Sequence, residues 1–327
     1  MRTGPRSGVS SEAVEFSVDD TTVRGTFSVP VGAASPVPVV VMAHGWAMVA
    51  SGDLQDYAES FQAAGLATLT FDFRHLGRSD GTPRQEIDPH RQVEDFRTAV
   101  TWVLTRPEVD PAKVGIWGSS YSGGHALTVA AQDDRVAAVV AQVPTISGYR
   151  AARDRWDDAT IAAQQARFDH DRQGRLRGRE PLTIPLVSPD PTAAAVAYPG
   201  PDSYAYMSAE GRRCPEWQNF VTVRSLELAR SYEPGLTIER IAPKPLLMIV
   251  AADDVTTPAD LQLEAYERAQ QPKELLVLPG GHYSVYTDHL HVTRRAAADW
   301  FARHLLRPGR GAIPSQQHDG QPLEDLP

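Results

Sequence analysis

The sequence contains a single cysteine, Cys214, among its 327 residues. One thiol excludes an internal disulfide framework and any metal site built from several thiolates. Lysine is also scarce, with only Lys113, Lys244 and Lys273, and 32 basic against 41 acidic residues give a net charge of −9. Nucleic-acid-binding proteins usually concentrate an excess of positive charge, so we do not expect a nucleic-acid partner.

Long apolar runs are missing as well. No uninterrupted run approaches the roughly 18 residues that a membrane-spanning helix requires. The first residues contain no apolar segment of the kind found in secretory signals. We therefore expect a cytoplasmic protein without a membrane partner. The remaining composition, with 42% hydrophobic and 22% charged residues, is typical of a folded globular chain.

Apolar runs of strand length alternate with amphipathic segments of helix length along most of the chain. After a predicted hairpin at 14–27, the predicted strands are residues 36–42, 67–73, 114–117, 136–143, 245–250 and 274–278. The run at 36–42 is continuously apolar, which is typical of a strand buried on both faces. This alternation predicts the α/β class, with a mostly parallel sheet and helices on both of its faces.

A turn rich in glycine and serine, residues 118–124, directly follows one predicted strand and precedes a helix. A nucleophile on such a turn needs small residues two positions before and after it, because the strand and the helix pass close by. Trp117 excludes Ser119 by this rule. Ser120, between Gly118 and Ser122, is the predicted nucleophile, and Ser122 is the alternative.

A serine hydroxyl needs a base, and the base needs an orienting carboxylate. When the nucleophile lies on such a turn, the acid and then the histidine follow later strands. Among the ten histidines, His282 follows the strand at 274–278 and is the predicted base. Asp253 and Asp254 both follow the strand at 245–250. Asp254 is preferred because it lies four residues before Pro258, which opens the next helix, and Asp253 stays open.

Acyl transfer also requires hydrogen-bond donors for the oxyanion of the tetrahedral intermediate. The first predicted donor is the backbone N–H of Tyr121, directly after the nucleophile. The second should come from the loop after the strand at 36–42, which contains His44-Gly45-Trp46. The backbone N–H of Trp46 is the predicted donor there, and His44 is expected to hold the loop.

These motifs, taken in order, resemble the α/β-hydrolase superfamily. They are His44-Gly45-Trp46, the stretch 72–81, the turn around Ser120, the loop at Asp254, and Gly281-His282. Within the superfamily the chain resembles the dienelactone-hydrolase-like and X-prolyl-dipeptidyl-peptidase-like hydrolases. The resemblance implies an eight-stranded sheet with an antiparallel second strand, and the catalytic triad Ser120, Asp254 and His282. It implies no particular substrate, because this fold hosts many activities.

The α/β alternation breaks between residues 149 and 240. We expect this segment to be a helical cap, inserted after the sixth strand into a core of residues 12–148 and 241–306, with flexible tails at 1–11 and 307–327. Aromatic residues of the cap are candidates for lining a substrate pocket. The four named as substrate-binding are Tyr149, Tyr204, Tyr206 and Trp217. The arginine-rich run at 167–179 could attract a phosphate-bearing thioester, but interleaved acidic residues favour a solvated helix face.

The predicted function is hydrolysis of a carboxylic ester through an acyl-Ser120 intermediate, without a cofactor or metal. An acyltransferase or thioesterase acting on a polyketide or other acyl thioester would use the same triad and stays open. A peptidase, a C–C bond hydrolase and a non-catalytic binding module are less favoured alternatives. The expected partner is a small-molecule ester or thioester, and a homodimer is compatible with the sequence.

Overall fold

A sheet of eight strands forms the middle layer of the protein. The computed structural model describes residues 8–190 and 196–306. Its strands are β1 (Val9–Val18), β2 (Thr21–Pro30), β3 (Val37–Ala43), β4 (Ala67–Asp72), β5 (Val109–Ser119), β6 (Val136–Gln142), β7 (Thr183–Ile184), β8 (Val221–Thr222), β9 (Leu246–Ala251) and β10 (Lys273–Leu278). The order in the large sheet is β1-β2-β4-β3-β5-β6-β9-β10, while β7 and β8 pair separately. Strand β2 is antiparallel to both of its neighbours, and the other adjacent strands of the large sheet are parallel.

Helices cover both faces of this sheet. They are α1 (Asp53–Ala63), α2 (Pro89–Val103), α3 (Tyr121–Gln132), α4 (Gly148–Arg155), α5 (Asp158–Leu176), α6 (Pro201–Arg213), α7 (Val223–Arg230), α8 (Ala259–Arg268) and α9 (Leu290–Phe301). Apolar residues of α2, α3 and α8 pack in one hydrophobic cluster, and those of α1 and α9 pack in another. The predicted α/β class, with a mostly parallel sheet between helices, is therefore confirmed.

Strand β3 shows how the sequence produces this layered core. All seven of its residues are buried. Val39 and Val41 belong to the cluster on one face of the sheet, while Val40 and Met42 belong to the cluster on the other. Successive side chains of a strand point to opposite faces, so a continuous apolar run supplies both clusters at once.

Two predicted boundaries differ from the structure. Strand β1 begins at Val9, which pairs with Pro30, so residues 9–11 are not a tail. Their side chains are exposed, and backbone pairing rather than burial holds them in the sheet. Strand β5 begins at Val109 instead of residue 114, with a register shift against β3 over the intervening polar residues. The tail residues 1–7 and 307–327 lie outside the described residues.

The chain between β6 and β9 contains α4, α5, α6, α7 and the short β7–β8 pair. Three of these helices begin with a capping side chain: Ser147, Asp157 and Thr222 each accept a backbone N–H of the first turn. Such caps satisfy backbone N–H groups of the first turn that have no carbonyl partner within the helix. Phe168 and Ile184 join the hydrophobic cluster of α2 and α3. The division into core and cap, with boundaries at 149 and 240, stays a prediction.

Candidate active site

Ser120 lies on the tight turn between β5 and α3. Its backbone angles, φ 57° and ψ −118°, are rare for L-amino acids. Two hydrogen bonds fix this conformation: Ser120 N–H donates to the Gln142 carbonyl at 2.9 Å, and Thr145 N–H donates to the Ser120 carbonyl at 2.9 Å. A Cβ added at Gly118 would lie 1.9 Å from the carbonyl oxygen of Ser122. Glycine is therefore required where the strand and the helix approach each other.

The three serines of this turn have different hydrogen-bond partners. Ser119 Oγ lies 2.6 Å from the hydroxyl of Tyr286. Ser122 Oγ donates to a backbone carbonyl of the loop after β3. Ser120 Oγ lies 3.0 Å from Nε2 of His282. Of the three hydroxyls, that of Ser120 is the one placed against an imidazole.

The ring of His282 lies between Ser120 and Asp254. Its Nε2 faces Ser120 Oγ, and its Nδ1 lies 2.7 Å from Oδ2 of Asp254. All three residues are more than nine-tenths buried. These contacts fit the imidazole tautomer with its proton on Nδ1, facing the carboxylate, and with Nε2 as acceptor for the Ser120 hydroxyl. The structure brings the three predicted residues together in one hydrogen-bonded chain.

Asp254 is held in place by the loop that follows β9. Its Oδ1 accepts the backbone N–H groups of Thr256 at 2.8 Å and Thr257 at 2.9 Å. The carboxylate of the neighbouring Asp253 instead accepts the backbone N–H of Gly280 at 3.1 Å. Of the two candidate acids, Asp254 is the one that contacts His282.

Two backbone segments flank the Ser120 side chain. Tyr121 begins α3, and the first N–H groups of a helix have no carbonyl partner within it. Gly45 lies in the loop after β3, and a Cβ added there would lie 3.4 Å from Ser120 Cβ. Trp46 follows it and lines the same recess as Ser120. The two predicted oxyanion donors, the backbone N–H groups of Tyr121 and Trp46, therefore lie on segments adjacent to Ser120.

A narrow recess opens in front of Ser120 and His282. Its volume is about 20 Å³, which is enough for roughly one water molecule. Its other walls are Gly45, Trp46, Met48, Asp53, Tyr198, Tyr206, Met207, Tyr283 and Tyr286. The recess is thus mostly aromatic, with one carboxyl group among its walls.

Asp53 is the acidic residue among these walls, and no sequence motif indicates it. Its Oδ2 accepts the hydroxyl of Tyr206 at 2.6 Å, and its backbone N–H donates to Glu210 Oε2 at 2.8 Å. Burial, followed by the negative charge of Glu210, raises the pKa of the Asp53 carboxyl to about 6. In the sequence it is an ordinary acidic residue in the first turn of α1. Its place beside Ser120 results from contacts between α1 and α6.

The four aromatic residues predicted to bind substrate are placed differently. Tyr206 lies on the wall of the Ser120 recess. Tyr149 is 63% exposed on α4, and Tyr204 is 36% exposed on α6. The indole ring of Trp217 packs against the backbone of α6. The structure therefore does not bring Tyr149, Tyr204 or Trp217 to the recess. The first two side chains face solvent, and the third packs against a helix.

A second cavity, of about 380 Å³, adjoins the recess. Trp46 and Tyr198 line both spaces, with their ring centroids 5.4 Å apart. Thr257, whose hydroxyl donates to Asp254 at 2.9 Å, also lines the cavity. The cavity therefore begins beside the hydrogen-bonded chain and extends among α4, α5 and α7.

Neither a metal site nor a membrane span is found in the described parts of the chain, residues 8–190 and 196–306. No group of three or more His, Cys, Asp or Glu side chains there is placed to hold a metal ion. No helix there is long and apolar enough to cross a membrane.

The mostly parallel eight-stranded sheet, with a serine on the strand-to-helix turn, defines an α/β hydrolase. Within this class the chain belongs to the X-Pro dipeptidyl-peptidase (S15) family, whose model matches residues 19–284. The resemblance inferred from the five motifs is therefore confirmed. Membership establishes the fold of the chain, whereas the substrate of a family member depends on the residues of its site.

Several curated relatives share about a third of their residues with this chain. The polyketide transferase grgF of Penicillium sp. is 32% identical, over 89% of this chain and 96% of its own. The quorum-quenching protein AidA of Acinetobacter baumannii is 32% identical, over 76% of this chain and 80% of its own. The thiohydrolase apmlB of Arthrinium phaeospermum is 31% identical, over 86% of this chain and 92% of its own. The relatives thus carry names from both hydrolysis and acyl transfer.

Solved structures agree with this assignment. The crystal structure of the α/β hydrolase GrgF from Penicillium sp. matches with a TM-score of 0.77 and 31% sequence identity. The match covers 91% of this chain and all of the GrgF chain. The similarity therefore includes the segment between β6 and β9 as well as the sheet.

Proposed function

We propose that the protein cleaves a carboxylic ester or thioester through a covalent acyl-Ser120 intermediate. The observation that carries this proposal is the chain from Ser120 Oγ to His282 at 3.0 Å and from His282 to Asp254 at 2.7 Å. A serine hydroxyl is a weak nucleophile at neutral pH. An imidazole within hydrogen-bond distance, oriented by a carboxylate, is the arrangement that activates it.

In the first half-reaction, Ser120 Oγ attacks the substrate carbonyl carbon and its proton passes to His282 Nε2. His282 then returns this proton to the leaving alcohol or thiol as the C–O or C–S bond breaks. In the second half-reaction, water gives a proton to His282 and attacks the acyl carbon. Release of the acid returns the proton to Ser120, while Asp254 remains ionised and stabilises the imidazolium.

The oxyanion of each tetrahedral intermediate would be stabilised by the backbone N–H groups of Tyr121 and Trp46. Both belong to segments adjacent to Ser120, which supports this role. Donors already fixed in position stabilise the developing charge without reorganising, and loss of one typically costs about 3 kcal/mol of barrier.

Acyl transfer to an acceptor other than water is the second candidate. Relatives similar over most of this chain are named polyketide transferase and thiohydrolase, which supports an acyl thioester as substrate. The same acyl-Ser120 intermediate serves both reactions, because an acceptor hydroxyl or thiol can replace water in the second half-reaction.

A panel of p-nitrophenyl esters and N-acetylcysteamine thioesters of graded acyl length tests the proposed chemistry. We expect cleavage of at least one series, and Ser120→Ala should lower kcat by about 10⁴-fold or more. Ser122→Ala is the matched control, because its hydroxyl bonds a backbone carbonyl instead of His282. Wild-type-like turnover in a folded Ser120→Ala variant would contradict the proposal.

Product analysis with an added alcohol at millimolar concentration separates hydrolysis from transfer. A hydrolase gives mainly the free acid. Predominant formation of the transfer product would identify the second candidate as the activity.

A further inference from the structure

Three arginines from three helices line the cavity of about 380 Å³ beside the candidate active site. These cavity arginines are Arg155 of α4, Arg167 of α5 and Arg230 of α7. No aspartate or glutamate lies among the described residues that line the cavity. The whole chain has a net charge of −9, so the cavity reverses the overall sign locally. A cavity with positive walls attracts a negatively charged ligand.

Other arginines on the same helices are neutralised by nearby carboxylates. On α4, Arg153 lies 3.0 Å from Asp158. On α5, Arg175 lies 2.8 Å from Asp171. Across residues 8–190 and 196–306, no ion pair joins a cavity arginine to a carboxylate. The cavity arginines therefore differ from these neighbours in having no carboxylate within ion-pair distance in the described ranges.

Arg230 shows this most clearly. Its guanidinium carbon lies 4.8 Å from the ring centroid of Phe168 and 5.7 Å from that of Trp156, and such contacts orient a guanidinium group. Its Nη2 atom is buried and has no hydrogen-bond partner among the described residues. Burial also lowers the pKa of the Arg230 guanidinium. A buried charged donor without an acceptor is unfavourable, and a bound anion would supply the acceptor.

The core side of the cavity offers further donors. The hydroxyl of Tyr121 and the indole N–H of Trp46 are both buried, and neither has a hydrogen-bond partner in the described ranges. Both residues line the cavity. Trp46 also lines the recess at Ser120. Donor groups therefore lie on the core side of the cavity as well as on its helices, and Trp46 places one of them beside the recess at Ser120.

We propose that the cavity arginines bind a negatively charged group of the substrate, a carboxylate or a phosphate, while the scissile carbonyl lies at Ser120. The inference rests on the proposed function and names its substrate class: an ester or thioester with negative charge away from the reacting bond. Guanidinium groups pair with carboxylate and phosphate in the same forked geometry. The rings of Trp156 and Phe168 would contact the apolar chain between the two groups.

Two matched substrate pairs distinguish the sources of negative charge. The first pair is mono-p-nitrophenyl adipate, which has a free carboxylate, and its methyl ester, p-nitrophenyl methyl adipate. These two differ in the charge on the acyl group. The hexanoyl thioesters of 4′-phosphopantetheine and of pantetheine differ in a phosphate on the leaving group. We expect kcat/KM to be about 10-fold or more higher for the charged member of one pair. Arg230→Gln should reduce that ratio to about 3-fold or less.

Arg153→Gln is the matched control, since Arg153 lies on α4 but pairs with Asp158 outside the cavity. This variant should keep the charge preference of the wild type. Thermal unfolding checks that each variant is folded, and Arg167→Gln replaces Arg230→Gln if the latter unfolds. Absence of a charge preference in both pairs, or a preference unchanged in the folded cavity variant, would overturn the inference.

Direct binding separates this inference from the proposed function. Isothermal titration calorimetry of the Ser120→Ala variant with adipate and with inorganic phosphate measures anion binding without turnover. We expect at least one of them to bind, and affinity should fall about 10-fold or more when Arg230→Gln is added. Anion binding without cleavage of any ester or thioester by the wild type would contradict the proposed function alone. Cleavage of neutral esters, with neither anion binding nor charge preference, would contradict the anion site alone.

Discussion

At the scale of single residues, three of the six non-glycine residues with positive φ in the described ranges lie at or near Ser120. Ala47, Ser120 and Val143 are non-glycine residues with φ of 58°, 57° and 37°. Ala47 follows the predicted oxyanion donor Trp46, and the carbonyl oxygen of Val143 lies 2.9 Å from the hydroxyl of Thr257, which donates to Asp254. Each such conformation costs about 1–3 kcal/mol and persists where surrounding contacts determine it. The surrounding sheet and helix α3 thus hold the turn at Ser120 in an unfavourable backbone geometry.

Asp53 makes stability depend on pH. Its pKa of about 6 in the folded protein exceeds the ordinary value of 3.8, so the folded state binds its proton more tightly. Deprotonation therefore lowers stability as pH rises from about 4 to about 6, by roughly 1–2 kcal/mol. Asp53→Asn cannot ionise and keeps an acceptor for Tyr206. Between pH 4 and pH 7.5, the free energy of unfolding of Asp53→Asn minus that of the wild type should therefore rise by roughly 1–2 kcal/mol.

Urea unfolding of the wild type and Asp53→Asn at both pH values measures this difference. A stability difference that is the same at pH 4 and pH 7.5 would show that Asp53 titrates with an ordinary pKa. It would also remove the reason for treating the carboxyl as desolvated in the recess.

At the scale of elements, the sequence predicts best those strands that are buried on both faces. Strand β3 is apolar throughout and was identifiable from its residues alone. The first residues of β5 include Asp110, Pro111 and Lys113, which are typical of a loop, so the predicted strand began too late. Strands β7 and β8 have two residues each and pair across 37 positions, and local periodicity contains no signal for such a pair.

A buried ion pair joins two elements of the core. Arg74, after β4, donates from its backbone N–H and its Nε to Asp95 of α2, at 3.0 and 2.7 Å. Both side chains are almost fully buried. Asp95→Ala would leave the Arg74 charge buried without this partner, and we expect it to destabilise the protein by about 3–5 kcal/mol. Denaturant unfolding measures the change.

The exposed pair of Arg150 and Glu264, 2.8 Å apart, is the control for this prediction. Glu264→Ala should cost about 1 kcal/mol or less, because solvent screens the charges. Equal losses from Asp95→Ala and Glu264→Ala would contradict the role given to burial.

At the scale of the whole molecule, local motifs predicted the residues of the hydrogen-bonded chain but only part of the walls around them. Ser120, Asp254 and His282 each follow a strand at a fixed position, and parallel strand ends meet at one edge of the sheet. The walls depend on how α6 packs on the loop after β10, where the ring centroids of Tyr206 and Tyr283 are 4.9 Å apart. Tyr198, shared by the recess and the cavity, has no motif that distinguishes it from the exposed Tyr149.

The division between recess and cavity leads to a prediction about acyl length. The recess holds about 20 Å³, so a long acyl chain must extend past Tyr198 and Trp46. We expect Tyr198→Ala to raise the ratio of kcat/KM for decanoyl over acetyl p-nitrophenyl esters by about 10-fold. Tyr204→Ala, on the exposed part of α6, should leave the ratio as it is. An unchanged ratio in Tyr198→Ala would show that the chain takes another path.

Labelling with a fluorophosphonate, followed by intact-mass measurement and peptide mapping, tests the proposed covalent role of Ser120 most directly. We expect one label per chain, located on Ser120, with labelling slowed by about 10²-fold or more in His282→Ala. Ser120→Ala should remain unlabelled while Ser122→Ala labels normally. A label on another residue, or labelling that persists in Ser120→Ala, would contradict the proposed mechanism.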